Sequence, residues 1–269
     1  MPDTPNSNAP FVLNSRDGGV LTLTLNRPEA RNALSDGLLA ALQSQLDAVA
    51  YDNSVRVVII AANGPAFCAG HDLKEMTPHR QDHDKGRYYF DRLLKHCAGL
   101  MQTIVKLPKP VIAQVHGIAT AAGCQLVASC DLAVAADDAR FATPGVNIGL
   151  FCSTPMVALS RNVERKHAME MLLTGDMIDA ARAREIGLIN RVVPAAALAA
   201  ETMKLAQHIA SKSRVSIAIG KEAFYHQLEM GLTGAYAFAS EAMTRNMLEA
   251  DAKEGIGAFI EKRAPKWQA

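Results

Sequence analysis

The sequence has no C-x-x-C pair, and its five cysteines, Cys68, Cys97, Cys124, Cys130 and Cys152, are an odd number at wide spacing. That pattern supports neither a disulfide framework nor a zinc clamp; it predicts a reducing compartment. Aromatic residues are scarce at 5%, which leaves few platforms for stacking single-stranded nucleic acid. Charge of one sign is also missing. Lys and Arg number 28 against 27 Asp and Glu, a formal charge of +1, so no field over the whole molecule draws in nucleic acid or an anionic membrane. Any anionic ligand must be met by local charges. No apolar run is long and clean enough for a membrane span: residues Val111 to Ala136 come nearest, but Gln114, His116, Gly117, Gly123, Gln125 and Asp131 interrupt them. The opening MPDTPNSNAP has neither the basic and apolar regions of a signal peptide nor the Arg-rich pattern of a transit peptide. Residues 1–10 read as a disordered arm, and the expectation is a soluble, cytoplasmic protein.

What is present is a globular composition, 49% hydrophobic and 20% charged over 269 residues. A chain of this length forms one large domain, or a domain with an appendage, and can bury roughly 70–75% of its extended surface. Phe11–Asn14 and Val20–Leu25 are β-rich runs separated by Asp17-Gly18-Gly19, which predicts a hairpin. After Ser35-Asp36, good N-cap residues, Leu38, Leu42, Leu46 and Val49 recur at helical spacing. Residues 55–62 (VRVVIIAA) and 110–115 (PVIAQV) are short, β-branched and almost wholly apolar, as strands covered on both faces are. Helical patterns between them predict parallel strands joined by helices, an α/β fold. Further along, the pattern predicts a buried helix over 123–129, a strand over 132–136, helices over 161–174 and 180–185, and a strand over 188–193 closed by Pro194. β signals cease near residue 200, and 201–269 is helical.

Two segments share a design: AFCAGHDLKEM (66–76) and HGIATAAGCQLVASCD (116–131) place small residues just after a strand, at a helix start. Small side chains let a ligand approach the backbone, and helix-start N–H groups have no intrahelical acceptor. Two such turns facing each other can form an oxyanion hole, although small residues at a strand-to-helix turn more often serve close packing.

Six strings in order resemble the crotonase superfamily, also called the enoyl-CoA hydratase/isomerase family: NRPEARNAL, AFCAGHDLKEM, HGIATAAGCQL with CDLAVA, FATPGVNIGL, AMEMLLTGD and ARAREIGLINRVVP. Together they cover residues 11 to 265. The resemblance implies a spiral of ββα units over 11–200, a C-terminal helical oligomerisation region over 201–269, and a homotrimer or dimer of trimers. It implies an acyl-CoA ligand whose thioester oxygen is held by two backbone N–H groups, those of His71 and Ala122. Ala30, Arg31 and Ala33 match the loop that cradles the adenine and phosphates of coenzyme A. Ala69, Asp72, Leu73 and Lys74 continue the thioester loop, and Lys262 matches a lysine that reaches the coenzyme. As bare sequence, Arg31, Lys74 and Lys262 are equally well solvated surface cations. No metal and no cofactor are expected, coenzyme A entering only as part of the substrate, and neither nucleic acid nor a membrane is an expected partner.

The departures bear on the reaction. The family's hydratases hold and activate water with two glutamates, and at those positions stand Gln125 and Gly145. An amide exchanges no proton near neutral pH and glycine has no side chain, so ordinary hydration should be weak or absent. Replacement groups to consider are the polar stretch 77–91, including His79, Asp82, His83, Asp84, Tyr88 and Tyr89, expected to be mobile; Cys152 and Ser153; and the imidazole of His71. Each also has a plain reading as solvated loop, inert thiol or hydrogen-bonded structural group. Asp131 reads as an internal anchor. The alternatives left standing are a crotonase-fold isomerase, thioesterase or decarboxylase, and a non-catalytic acyl-CoA sensor or partner protein.

Overall fold

The computed structural model describes residues 9–268, so the arm expected over 1–10 lies, save for its last two residues, outside them. β1 (Val12–Asp17) and β2 (Val20–Leu25) form the expected hairpin, with the first strand continuing to Asp17 so that Gly18-Gly19 make the turn. Next come α1 (Asp36–Tyr51), β3 (Val57–Ala62), α2 (Leu73–Met76), α3 (Arg87–Lys106), β4 (Val111–Val115), β5 (Ile118–Thr120), α4 (Ala122–Ser129), β6 (Leu132–Ala136) and β7 (Arg140–Ala142). α5 (Pro155–Leu159), α6 (Arg165–Thr174), β8 (Ile178–Asp179), α7 (Ala180–Glu185) and β9 (Arg191–Val193) complete the sheets. The chain ends in α8 (Leu198–Ala210), α9 (Arg214–Gln227), α10 (Leu232–Met247) and α11 (Ala250–Ile260).

Six strands form one sheet in the order β1-β2-β3-β4-β6-β9, parallel except for the opening hairpin. The apolar runs are explained by burial on both faces. In β3, Val58 and Ile60 enter the main core with α1, α3 and α4, while Val57, Ile59 and Ala61 pack on the other face with Leu198 and Ala206 of α8. α1 starts where its cap predicts, the Ser35 hydroxyl accepting from the Leu38 N–H, and it buries Leu38, Leu39, Leu42, Leu46 and Val49. Each such side chain contributes about 1.5–3 kcal/mol.

A second sheet, β5-β7-β8, stands beyond the ends of β4 and β6. The sequence pattern does not announce it, because strands of two or three residues carry no alternation to read. The strand expected over 188–193 begins only at Arg191: Leu188 and Ile189 are buried in a turn, both N–H groups donating to the Ala183 carbonyl. The boundary drawn at 200/201 passes through α8, which packs on the sheet and belongs to the core. α9 is tied down by Lys221, whose Nζ donates to the carbonyls of Ile104 (2.9 Å) and Lys109 (3.0 Å) and pairs with Asp131 at 2.7 Å. Asp131 also accepts from the Val111 N–H and the Tyr225 hydroxyl, the anchoring role its sequence suggested.

Candidate functional site

The carboxyl ends of β3 and β4 lie side by side in the parallel sheet, and the turns that follow them meet. Cys68 forms a parallel bridge with Ala119: its N–H donates to the Ile118 carbonyl (3.1 Å) and its carbonyl accepts from Thr120 (3.0 Å). The other edge of the same segment is held by Leu34, which donates to the Gly70 carbonyl (2.7 Å) and accepts from Asp72 (3.3 Å). Ala69 donates to the Arg31 carbonyl at 3.0 Å. Between these bonds the N–H of His71 makes no hydrogen bond to any described residue. Neither does the N–H of Ala122, the first residue of α4, while Ala121 donates to the Ala142 carbonyl at 2.9 Å.

Close approach depends on glycine. A Cβ on Gly70 (φ +92°) would lie 2.9 Å from the Ala121 Cβ, 3.1 Å from the Thr120 carbonyl and 3.4 Å from the Ala122 nitrogen. Ala121 itself sits at φ 51°, ψ −117°, a positive-φ conformation outside the αL well that costs an L-residue about 1–3 kcal/mol. The strain lies at the residue that turns the Ala122 N–H outward from the end of α4.

The loop on the other side is built by Asn32, fully buried, whose side-chain amide donates to the carbonyls of Asn63 and Ala66 (both 2.8 Å) and accepts from the Arg27 N–H at 2.8 Å. Ala33 is buried and Ala30 half-buried; Arg31 is exposed at φ 52°. Leu73 and Lys74 are exposed at the start of α2. Asp72 has a full set of partners: it accepts from the N–H groups of Lys74 (2.9 Å) and Glu75 (3.2 Å) and pairs with Arg27 at 2.6 Å. Burial raises its pKa, but Arg27 and these N–H groups outweigh that and hold it below the usual carboxylate range. Lys262 is exposed just beyond α11, on a separate element from the loop residues.

Gln125 is buried in α4, and its Oε1 has no hydrogen-bond partner among the described residues. Gly145 lies in a short 3-10 turn, Pro144–Ile148, where a Cβ would come 2.9 Å from the Cys152 sulfur and 3.0 Å from the Leu150 carbonyl. Burial keeps the Cys152 thiol protonated, and Ser153 is exposed with its hydroxyl turned to the Phe151 carbonyl. Neither is an activated nucleophile.

The stretch 77–91 is not the mobile loop expected. It folds as a 3-10 turn over Thr77–Gln81 and the start of α3, because its polar groups satisfy one another: Asp84 accepts from the N–H groups of Gly86 and Tyr88, and His79 pairs with Asp82 at 2.8 Å. The His79 ring stacks on Tyr89, centroids 3.6 Å apart. Burial lowers the pKa of the His71 imidazole, an effect that the Leu34 carbonyl and the Asp36 charge only partly offset. Both ring nitrogens lack a partner among the described residues, as do the Tyr89 hydroxyl and Thr143 Oγ1, the last a polar group the sequence did not single out. A surface cleft of about 170 Å³ lined by His167, Glu170 and Arg182 shares no residue with these turns, and Arg182 is already bonded to His167 and Glu185.

The enoyl-CoA hydratase/isomerase family model matches residues 15–269. The mouse protein named enoyl-CoA hydratase domain-containing protein 3, mitochondrial, is 51% identical over 93% of this chain and 81% of its own length. A crystal structure of an enoyl-CoA hydratase from Mycobacterium smegmatis is 54% identical, with a TM-score of 0.92 over 97% of this chain and 100% of that one. The crystal structure of human enoyl-CoA hydratase domain-containing protein 3 gives 48% identity and a TM-score of 0.90 over 96% of this chain and 100% of that one. The cytoplasmic expectation is overturned here. The relatives from mouse, human and rat are each named mitochondrial, and buried reduced thiols fit any reducing compartment, so the cysteine pattern never distinguished the two.

Proposed function

The chain belongs to the enoyl-CoA hydratase/isomerase family, the crotonase superfamily, and within it to the branch of enoyl-CoA hydratase domain-containing protein 3; from that premise we propose that it binds an acyl-CoA and polarises the thioester carbonyl with two backbone donors. The observation that carries this reading is the pair of N–H groups, His71 and Ala122, left without a protein acceptor among the described residues where two turns close on Gly70. A thioester enolate places negative charge on oxygen, and each donor aligned with it is worth about 3–4 kcal/mol. Ala30, Arg31, Ala33, Ala69, Asp72, Leu73 and Lys74 then form the rim on which the coenzyme lies, Asp72 by fixing the loop through its backbone contacts, and Lys262 reaches it from the C-terminal helices.

The chemistry available once the carbonyl is polarised is set by Gln125 and Gly145, which offer neither acid nor base. Hydration of crotonyl-CoA should be slow or undetectable. The second reading, a binder without turnover or an enzyme of other thioester chemistry, is favoured by that same pair. Calorimetry with acetoacetyl-CoA against free CoA tests the first step: a clear preference for the thioester supports the donor pair, and equal affinity or no binding rejects it.

A further inference from the structure

A peptide unit is planar and trans, so a hydrogen bond to its carbonyl also aims the N–H at its other end. Both candidate donors are held in this way. The Ala121 carbonyl accepts from the Gln125 N–H at 3.0 Å, within the first turn of α4, and the Ala122 N–H points the opposite way. The Gly70 carbonyl accepts from the Leu34 N–H at 2.7 Å, which turns the His71 N–H away from Leu34. α4 makes the first of these bonds within itself. The second depends on where Leu34 stands, and Leu34 lies in an isolated bridge, one residue before the Ser35 cap of α1.

Two carboxylates from the segment that carries His71 straddle that position. On one side Asp72 pairs with Arg27, whose guanidinium also donates to the Ala33 carbonyl at 3.2 Å. On the other side Glu75, half-buried and four residues after His71, accepts from the N–H of Asp36, the first residue of α1, at 3.2 and 3.3 Å. A carboxylate on a helix-start N–H is a charge-assisted bond, stronger than one between neutral groups. The Asp36 carboxylate is paired with Arg92 of α3, which offsets the repulsion between the two acids. α2 has four residues, too few to hold its place unaided. We propose that Glu75 is a positioning residue: its bond to the start of α1 sets Leu34, and the Leu34–Gly70 bond in turn sets the direction of the His71 N–H. Glu75 thereby governs how strongly a thioester carbonyl is polarised without touching the ligand. The inference rests on the acyl-CoA reading above and deepens it.

Calorimetry on the full chain with acetoacetyl-CoA and free CoA tests it, together with the infrared band of bound acetoacetyl-CoA isotope-labelled at the thioester carbonyl. Small misplacements of a positioned group are costly, so Glu75→Leu should lower the preference for the thioester by at least about fivefold while free CoA binds within about twofold of wild type. Asp36→Pro removes the N–H that Glu75 holds, at a first helical position where proline fits and after a Ser35 that is already extended (φ −78°, ψ 166°). It should reproduce the loss, and adding Glu75→Leu to it should cost no more. Glu75→Gln and Asp36→Asn, which keep the acceptor and the donor, should keep the preference. In the infrared, wild type and these two variants should lower the frequency of the bound carbonyl, and Glu75→Leu and Asp36→Pro should lose most of that shift. Asp36→Pro decides the matter should Glu75→Leu not fold. A preference unchanged in the folded variants, a parallel fall in thioester and free CoA affinity, or an equal loss in Glu75→Gln and Asp36→Asn overturns the proposal. A wild type without thioester preference instead removes the acyl-CoA reading beneath it.

Discussion

A side chain at residue 145 meets the Cys152 sulfur and the Leu150 carbonyl, so the turn over Pro144–Ile148 leaves no room for one. Gly145→Glu should therefore destabilise the protein by about 1–3 kcal/mol through overpacking, read as a lower denaturant midpoint. Gln125→Glu, nearly isosteric, should fold, with its carboxyl pKa raised by burial. The double variant should still hydrate crotonyl-CoA poorly until the turn at 150–152 is also reshaped; ordinary hydratase turnover in a folded double variant would contradict that expectation. Ala121 offers the opposite case. Glycine accepts φ 51° without penalty, so Ala121→Gly should raise the melting temperature by a few degrees, and a fall would show that the surrounding bonds do not impose the strain.

At the scale of elements, the Asp72 carboxylate joins the start of α2 to Arg27 and so to the Arg27–Leu34 loop. Its folded-state pKa is depressed, so its contribution is fully present above the unfolded value near 4 and is lost as pH falls through the lower folded value. Urea melts from about pH 6 down to about pH 2.5 should show that loss, and Asp72→Asn should be less stable at neutral pH with a shallower decline below about pH 4. Elements were legible in the sequence where their own residues determine them. α1, with its cap and leucine stripe, and β6, buried on both faces, match the expected spans. The three-stranded sheet and the folding of residues 77–91 were not, since they depend on partners remote in sequence or on polar groups pairing locally rather than on a hydrophobic period. The site divides the same way: small-residue turns mark the two backbone N–H groups without acceptors, whereas the charged groups around Tyr89 come from residues 36, 75 and 92, which share no motif.

Over the whole molecule, the C-terminal helices expose several large apolar side chains, Leu232, Tyr236, Leu248, Phe259 and Ile260 each at least 70% exposed, and where such residues form a contiguous patch they mark an interaction surface. Assembly through this region into a trimer or a multiple of it should appear in light scattering as three or six times 28.8 kDa; a monodisperse monomer at micromolar concentration would contradict it. Lys221→Ala should cost about 3–5 kcal/mol by leaving the Asp131 carboxylate inside the fold without its cation, and should loosen α9 from the core.

The bridge between Cys68 and Ala119 joins chain segments about fifty residues apart, and it links the ends of two neighbouring parallel strands. Contacts of such long sequence separation form late, after the loop-closure entropy has been met. The pair of donors thus has no local precursor: a folding intermediate with α1, α3 and the hairpin already in place would still lack them. In a refolding experiment, amide protection at Cys68 and Thr120 should rise with the slowest native phase, and recovery of ligand affinity should follow that phase rather than the earlier return of helical signal.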